Sequence, residues 1–282
     1  FDENKRCIHE EYYDTEEQPA ALAAGYAGFD REYDEDGNVT RMIYLGTDLK
    51  PVVIDKGYAE YRKEYNQDKC VTSESYYGAQ GENILLNDKY FMVKRVFDDK
   101  KRCVREMYYG TDEKPILVSG GYAGYEQVLD DRGNAIHRTH LGLDGNPVMT
   151  EWGYSIWHRN YNEKKQIIRE EYYDVKDEKI TRPGGQFALE HEFDEAGNNI
   201  SDMYYGLDNE KILLSGKFWK VVRTYDENKK KIHEEYFGTD GNPIMVSGKY
   251  AMIDFGYDDS GKLAKKILMN ESGEVVEEQD VK

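Results

Sequence analysis

The sequence predicts an all-β fold built as an elongated array of β-hairpin repeats, and three observations predict it. An aromatic residue or Leu followed by Asp or Asn recurs every 32 residues along the whole chain, without insertion or deletion. Turn-forming residues separate short apolar segments within every repeat, which is typical of all-β proteins. No segment shows the sustained apolar stripe of an amphipathic helix. Because a single hairpin is marginally stable in water, stacked hairpins that share a core are the expected arrangement.

The period divides the 282 residues into eight complete repeats and a shorter remainder. We predict a single array with repeats that start at residues 1, 33, 65, 97, 129, 161, 193 and 225, and a C-terminal cap over 257–282. In the cap, Leu268-Met269-Asn270 replaces the Tyr-Tyr-Gly of other repeats, as the end of a repeat array requires. Since the chain opens directly on a repeat, without an initiator Met, we expect it to be part of a longer protein.

Each repeat predicts two longer strands and a third, short apolar segment. The first strand ends in a turn such as Asp34–Asn38, with Gly or Lys four residues after the aromatic position, because Gly accepts a positive φ. The second strand, such as Val39–Leu45, precedes a second turn that holds five of the six prolines. A run such as Val52–Ile54 and a Gly-Tyr-Ala segment lead into the next repeat. In repeat 1, Ala20–Ala24 replaces this run, and we expect a frayed or partly helical end there.

The sequence leaves two geometries open. All strands can add to one continuous sheet, or each repeat can form one coil of a solenoid. The hairpin turns favour stacked hairpins with a superhelical twist.

Composition excludes several classes of protein. The net charge of −18 disfavours nucleic acid as a partner, because affinity for phosphates depends on Lys and Arg. No apolar run of the roughly 18 residues needed for a spanning helix is present, so we expect no membrane insertion. The three cysteines are too few for a disulfide framework and are expected to be reduced.

Catalytic and metal-binding motifs are absent from the sequence. It has no His and Cys spacing typical of zinc sites, no phosphate-binding glycine loop and no nucleophile elbow. We therefore expect no enzyme activity, no metal and no cofactor. An enzyme would need its site where the repeat pattern breaks; those positions are Trp152, Trp157, His158, Arg182, Pro183 and Gln186.

Tyrosine is the unusual component, with 25 residues, many of them in two adjacent positions of the repeat. Since neighbours in a strand point to opposite faces, one tyrosine of each pair is expected to pack inward while the other faces outward or into a groove between repeats. A periodic outward aromatic can stack on sugar rings or surround a quaternary ammonium group. The candidate ligand-binding residues are Tyr76, Tyr108, Tyr172, Tyr204, Tyr236, Trp152, Trp157 and His158.

The repeat resembles a known type of bacterial sequence. Segments such as Tyr225–Lys229, Tyr236–Pro243 and Gly248–Ala251 resemble the Tyr-rich repeats found in Firmicutes beside transferase domains that make surface glycopolymers. This resemblance implies a non-enzymatic module that binds or positions a cell-surface carbohydrate or glycopolymer, accessory to a glycosyltransferase-type domain of the same chain. It implies a location at the bacterial cell surface or the cytoplasmic face of the envelope. The alternative is a protein–protein scaffold or oligomerisation spacer whose tyrosines are purely structural.

Overall fold

The structure, a computed structural model, describes residues 1–281, which form eighteen β-strands and no helix. This confirms the predicted all-β hairpin array. The strands are β1 (His9–Glu11), β2 (Gly28–Tyr33), β3 (Val39–Leu45), β4 (Glu60–Tyr65), β5 (Val71–Tyr77), β6 (Met92–Phe97), β7 (Cys103–Tyr109), β8 (Gly124–Leu129), β9 (Ala135–Leu141), β10 (Ile156–Tyr161), β11 (Ile167–Tyr173), β12 (Ala188–Phe193), β13 (Asn199–Tyr205), β14 (Lys220–Tyr225), β15 (Lys231–Phe237), β16 (Met252–Tyr257), β17 (Leu263–Met269) and β18 (Val275–Asp280).

The chain forms two compact units that divide within β9. The first comprises Phe1–Leu129 and Thr139–Thr150, and the second comprises Asp130–Arg138 and Glu151–Lys282. In the first unit, β1 to β8 pair antiparallel, each with the next strand along the chain. In the second unit, β10 to β18 pair in the same way. Within each unit the strands therefore stack as consecutive hairpins.

The turn that joins the two long strands of a repeat has one conformation throughout. The residue four places after the aromatic has a positive φ in all nine turns, as predicted for glycine. Four turns use Gly, as at Gly37 (φ 82°), and five use Lys, as at Lys69 (φ 62°). Lys69 Nζ donates to the carbonyl of Asp36 at 3.1 Å, and Lys165 Nζ donates to that of Arg132 at 3.0 Å. Lysine thus combines a conformation unfavourable for L-residues with a bond to the preceding repeat.

The short apolar segment forms backbone bridges rather than a full strand. Val52 donates its N–H to the Tyr44 carbonyl, and Ile54 to the Tyr58 carbonyl, so the chain folds back before β4. In repeat 1, Leu22 donates to the Tyr26 carbonyl and closes the same turn. The expectation of a partly helical end at Ala20–Ala24 is therefore wrong, because the backbone bonds of the turn form with alanines in place of the β-branched residues.

The most regular part of the core is one position of the repeat, directly after the Gly-Tyr pair or the residues equivalent to it. All members are at most 8% exposed; they are Ala27, Ala59, Phe91, Ala123, Ser155, Phe187, Trp219 and Ala251. Phe91 meets Tyr77 edge-on with ring centroids 5.3 Å apart, and Phe187 meets Tyr173 at 5.4 Å. The second tyrosine of a pair thus packs on this core where a large residue occupies the position.

The last hairpin differs from the earlier ones in its connection. A single turn, closed by the N–H of Gly273 and the carbonyl of Asn270, joins β17 to β18. β18 then pairs with β17 from Lys265 opposite Asp280 to Met269 opposite Val275. The short apolar segment that precedes the next strand in other repeats is skipped here. All six side chains of β18 are exposed.

Candidate functional site

A continuous ladder of aromatic rings runs through the first compact unit. In the ladder, the first tyrosine of each pair alternates with the tyrosine of each Gly-Tyr-Ala segment. The two kinds of ring meet because the short apolar segment folds the chain back over the end of the strand. Successive ring centroids are 4.9 to 6.4 Å apart. The rings belong to Tyr12, Tyr26, Tyr44, Tyr58, Tyr76, Tyr90, Tyr108, Tyr122 and His140.

Beside the ladder, several repeats contain a triad of side chains: one tyrosine, one acid and one cation. We number each triad by the repeat to which its cation belongs. The strand register places Arg95 of β6 directly opposite Glu106 of β7. Glu106 accepts from Arg95 Nε at 2.9 Å through one oxygen and from the Tyr108 hydroxyl at 2.8 Å through the other. In repeat 2, Lys63 stands opposite Glu74, with Nζ 3.4 Å from the carboxylate.

The second compact unit contains the same triad. Glu234 accepts from Arg223 Nε at 3.1 Å and from the Tyr236 hydroxyl at 2.9 Å. Glu170 accepts from both Arg159 and Tyr172. The arrangement therefore follows from the repeat itself, through the cross-strand register.

Repeat 6 carries a variant of the triad, in which Asp202 replaces the glutamate and His191 replaces the Arg or Lys. Asp202 accepts from His191 Nδ1 at 2.5 Å and from Asn199 at 2.8 Å, and Arg223 lies 2.7 Å away. Burial opposes the charge of Asp202, but the bonds from His191 and Asn199 and the guanidinium of Arg223 lower its pKa to about 2. The carboxylate is therefore ionised at neutral pH.

The hydroxyls of four tyrosines on the ladder face remain protonated at neutral pH. Burial raises the pKa of Tyr61 and Tyr204 to about 12, since the phenolate is poorly solvated there. Burial and the adjacent glutamate charge raise the pKa of Tyr76 and Tyr108 further. These hydroxyls act as hydrogen-bond donors, and they are not available as bases.

A pocket with a volume of about 670 Å³ lies in repeat 2. We call it the repeat-2 pocket. Tyrosine rings, the Lys63–Glu74 pair, a second lysine and the next short segment surround it. Its lining residues are Tyr44, Lys56, Tyr58, Tyr61, Lys63, Glu74, Tyr76, Leu86 and Asn87.

The repeat-3 pocket is built from equivalent residues one repeat later, with a volume of about 240 Å³. Tyr90, Arg95, Glu106, Tyr108 and Val118 take the places of Tyr58, Lys63, Glu74, Tyr76 and Leu86. Both pockets combine aromatic rings with a carboxylate that is paired to a cation. This combination suits recognition of a polar ligand.

The tyrosines predicted as ligand-binding residues occupy equivalent places on the ladder face but differ in exposure. Tyr76 and Tyr108 line the repeat-2 and repeat-3 pockets. Tyr204 and Tyr236 are half-buried. Tyr172 is only 1% exposed, and the Arg182 guanidinium lies 4.7 Å from its ring centroid. Ring stacking with a ligand is therefore open to some of these tyrosines and closed to Tyr172.

The structure places Trp152, Trp157 and His158 in different surroundings within the second unit. Trp157 is 3% exposed and stands opposite Tyr172, on the ladder face. His158, its neighbour in β10, points to the other face, where its ring lies 4.7 Å from that of His137. Trp152 is 39% exposed and stacks on Tyr154. The alternation of strand side chains separates Trp157 from His158.

Sequence reasoning missed Tyr61 and the acid of each triad. The basic position at Lys63, Arg95, Arg159 and Arg223 is periodic in the sequence, and a solvated edge is the setting that this pattern favours. The signal that identifies the triad is a glutamate two residues before the ladder tyrosine, as in Glu74 and Tyr76. These cations are instead half-buried beside the ladder, with Arg95 22% exposed.

Within residues 1–281, no group of three or more His, Cys, Asp or Glu side chains is arranged to hold a metal ion. The same residues contain no helix long and apolar enough to cross a bilayer.

Comparison with known proteins gives similarity at the level of structure only. No family model matches the sequence, and no curated protein matches it. A TcdB2–TccC3 crystal structure aligns with 96% of this chain and 16% of its own, at 14% identity and a TM-score of 0.39. A TcdB2-TccC3-TEV structure aligns with 96% of this chain and 15% of its own, at 13% identity and 0.37.

A Photorhabdus luminescens Tc holotoxin pore with a mutant TccC3 aligns with 86% of this chain and 13% of its own, at 10% identity and a TM-score of 0.28. The chain thus spans about one sixth, or less, of the structures that it matches. At these identities and scores the similarity assigns no function, and the site rests on the geometry of this chain.

Proposed function

We propose that this chain is a non-catalytic repeat module that binds a neutral, hydroxylated ligand, a carbohydrate or glycopolymer, along its tyrosine ladder. One observation carries the proposal: two successive repeats form the same kind of pocket from equivalent residues. Tyr58, Glu74 and Tyr76 are matched by Tyr90, Glu106 and Tyr108. Packing alone requires buried rings, whereas a repeated polar opening beside them suits a ligand.

The chemistry of the pocket lining suits sugar hydroxyls. Tyrosine supplies a flat apolar surface and a polar end in one side chain. The Glu74 carboxylate and the Lys63 ammonium add an acceptor and a donor on the same side of the repeat-2 pocket. A ring that carries several hydroxyl groups can use all three kinds of contact at once.

The charges within the pocket disfavour a cationic ligand, because the lysines Lys56 and Lys63 line it beside the single carboxylate of Glu74. Glu74 is paired with Lys63 at 3.4 Å and with Arg95 at 3.5 Å, so its charge is already compensated. Lys63 Nζ also lies 4.6 Å from the ring centroid of Tyr61, and so occupies the position that a quaternary ammonium group would take. The net charge of −18 disfavours polyanions.

The cellular setting forms part of the same proposal. The resemblance to Tyr-rich repeats beside surface-glycopolymer transferases supports a role in holding or positioning an envelope polymer for a neighbouring transferase domain. The ligand itself is a proposal from the pocket chemistry and does not depend on that setting.

A scaffold or oligomerisation spacer is the second candidate, and the burial of the ladder favours it. Tyr76 is 7% exposed and Tyr172 is 1% exposed, as expected for structural tyrosines. Under this alternative the rings stabilise the stack and the pockets have no ligand.

Affinity electrophoresis in gels that contain neutral polysaccharides tests the proposal. The wild-type chain is expected to be retarded in at least one gel. Tyr61→Val, which installs the residue of the equivalent position in repeat 3 (Val93), is expected to weaken the retardation, because it removes one ring from the repeat-2 pocket. The control is Val96→Thr, at a side chain that is 53% exposed and does not line the pocket. Unchanged mobility in every gel, with self-association in sedimentation, favours the scaffold.

A further inference from the structure

We infer that the repeat-2 and repeat-3 pockets are successive subsites for one extended, neutral polysaccharide with a disaccharide-sized period, such as a β-1,4-linked chain. This inference deepens the proposed function and rests on it. It concerns only the first compact unit, in which both pockets lie.

The two pockets are contiguous rather than separate. Tyr76 lines the repeat-2 pocket and Tyr90 lines the repeat-3 pocket, and their ring centroids are 6.3 Å apart. Arg95 joins the two triads, with Nη1 3.5 Å from Glu74 and Nε 2.9 Å from Glu106. A ligand that leaves one pocket along the ladder meets the next without crossing an apolar gap.

The spacing of the subsites sets the period of the ligand. Each repeat adds two strands to the sheet, which corresponds to roughly 10 Å at the usual strand separation. The ladder agrees with this value, since the ring centroids step 5.1 Å from Tyr58 to Tyr76 and 6.3 Å from Tyr76 to Tyr90. That step matches the length of a disaccharide in an extended chain. A coiled polysaccharide would not present equivalent groups to both pockets on one face.

The position equivalent to Glu74 and Glu106 has no carboxylate beside the cation of repeat 1, Arg31. Met42 stands opposite Arg31 in place of glutamate. Methionine offers no carboxylate for a hydroxyl group, so repeat 1 lacks the acceptor that Glu74 and Glu106 provide. The natural sequence therefore contains the substitution that should remove a single subsite while keeping a residue that this sheet accommodates.

Titration calorimetry with cello-oligosaccharides, from the disaccharide to the hexasaccharide, tests the inference on the full chain. Affinity is expected to rise by at least about tenfold between the disaccharide and the tetrasaccharide, which first spans both subsites. Glu106→Met should abolish that rise while lowering disaccharide affinity by no more than about twofold, because the repeat-2 pocket remains. Val96→Thr is the matched surface control, and circular dichroism verifies that each variant keeps its strands.

The outcomes separate the inference from the proposed function. Equal affinity for all oligosaccharide lengths, or a rise that survives Glu106→Met, overturns the two-subsite inference and leaves carbohydrate binding in place. Absence of binding to every cello-oligosaccharide also overturns the inference. The retardation gels with other neutral polysaccharides then decide the proposed function independently.

Discussion

The aromatic ladder is continuous in the first compact unit and interrupted in the second. From Tyr12 to His140 every ring contacts the next. In the second unit Gln186 takes the place of a ring between Tyr172 and Tyr204. Gln186 is 8% exposed and its Oε1 has no hydrogen-bond partner. Arg182 fills part of the gap, with its guanidinium over Tyr172.

The backbone keeps its usual hydrogen bonds where the ladder is interrupted. Arg182 donates its N–H to the Gln186 carbonyl at 2.8 Å, the same turn that Ile54 and Tyr58 form in repeat 2. Strands β11, β12 and β13 pair in the usual register around it. Turns and strand pairing therefore specify the fold, while the ladder is a separate property that a repeat can lose.

The largest expected effect concerns a core position of the repeat that occurs in both units. Phe91→Ala in the first unit and Phe187→Ala in the second should each lower the free energy of unfolding by about 3–5 kcal/mol, because each removes a buried ring that packs on a tyrosine. Urea unfolding followed by circular dichroism measures both. Similar losses indicate equivalent cores on both sides of the ladder break. A much smaller loss at Phe187 would show that the interruption loosens the core.

Asp202 provides the next effect, which is confined to the interrupted region. Its pKa of about 2 lies below the ordinary value of 3.8, so the stabilisation is fully present above pH 3.8 and is lost as the pH falls through 2. Asp202→Asn should cost about 2 kcal/mol at pH 7 and flatten the acid dependence of stability below pH 4.

Asp254→Asn is the matched control for this prediction. Asp254 also accepts from a histidine, His233 Nδ1 at 2.6 Å, but its side chain is 47% exposed. Its replacement should cost less than about 1 kcal/mol. Equal losses for the two variants, measured by thermal unfolding between pH 2 and 7, would contradict a special role for the buried pair.

Restoring the ladder should have a smaller effect of opposite sign. Gln186→Tyr supplies the missing ring and removes a buried acceptor without a partner, so we expect a gain of about 1 kcal/mol. Tyr90→Gln in the first unit is the reverse substitution at the equivalent position and should destabilise. Chemical unfolding compares the two. A loss of stability for Gln186→Tyr would show that Arg182 has taken the space of the ring.

The turn lysines should show the smallest effect. Lys101→Gly relieves a φ of 61° but removes the Nζ contact with the Asp68 carboxylate at 3.3 Å, so the stability should change by no more than about 0.5 kcal/mol. Gly133→Lys places lysine at a φ of 83°, where a Cβ would meet open space, and should destabilise by about 1 kcal/mol because of the backbone conformation. Thermal unfolding of both variants measures the pair. A large loss for Lys101→Gly would mean that the inter-repeat contact outweighs the strain.

Sequence reasoning predicted the features that depend on local backbone chemistry. The hairpin turns, the positive φ at Gly37 and its equivalents, and the long strands follow from turn residues and period. The direction of each tyrosine was not predictable in the same way. Both faces of the sheet are partly covered, so Tyr76 and Tyr77 are both withdrawn from solvent although they point to opposite sides.

The triads and pockets depend on register, which the sequence specifies only once the strands are paired. Lys63 and Glu74 are eleven residues apart in the chain and face each other only because of the bulge near Tyr65 and the turn that follows it. The break at Gln186 was visible as a departure from the pattern, but the division of Trp157 and His158 between two faces required the strand itself.

The order of the strands also has a mechanical consequence. Within the first unit each strand bonds to the next along the chain, and Tyr65 adds a hydroxyl bond to the Val39 carbonyl of the preceding repeat at 2.9 Å. A tension applied along the chain therefore peels hairpins from an edge, breaking a few bonds at a time, rather than shearing many at once. Each released repeat of 32 residues lengthens the chain by roughly 110 Å at full extension. Such a module is expected to yield in steps under tension.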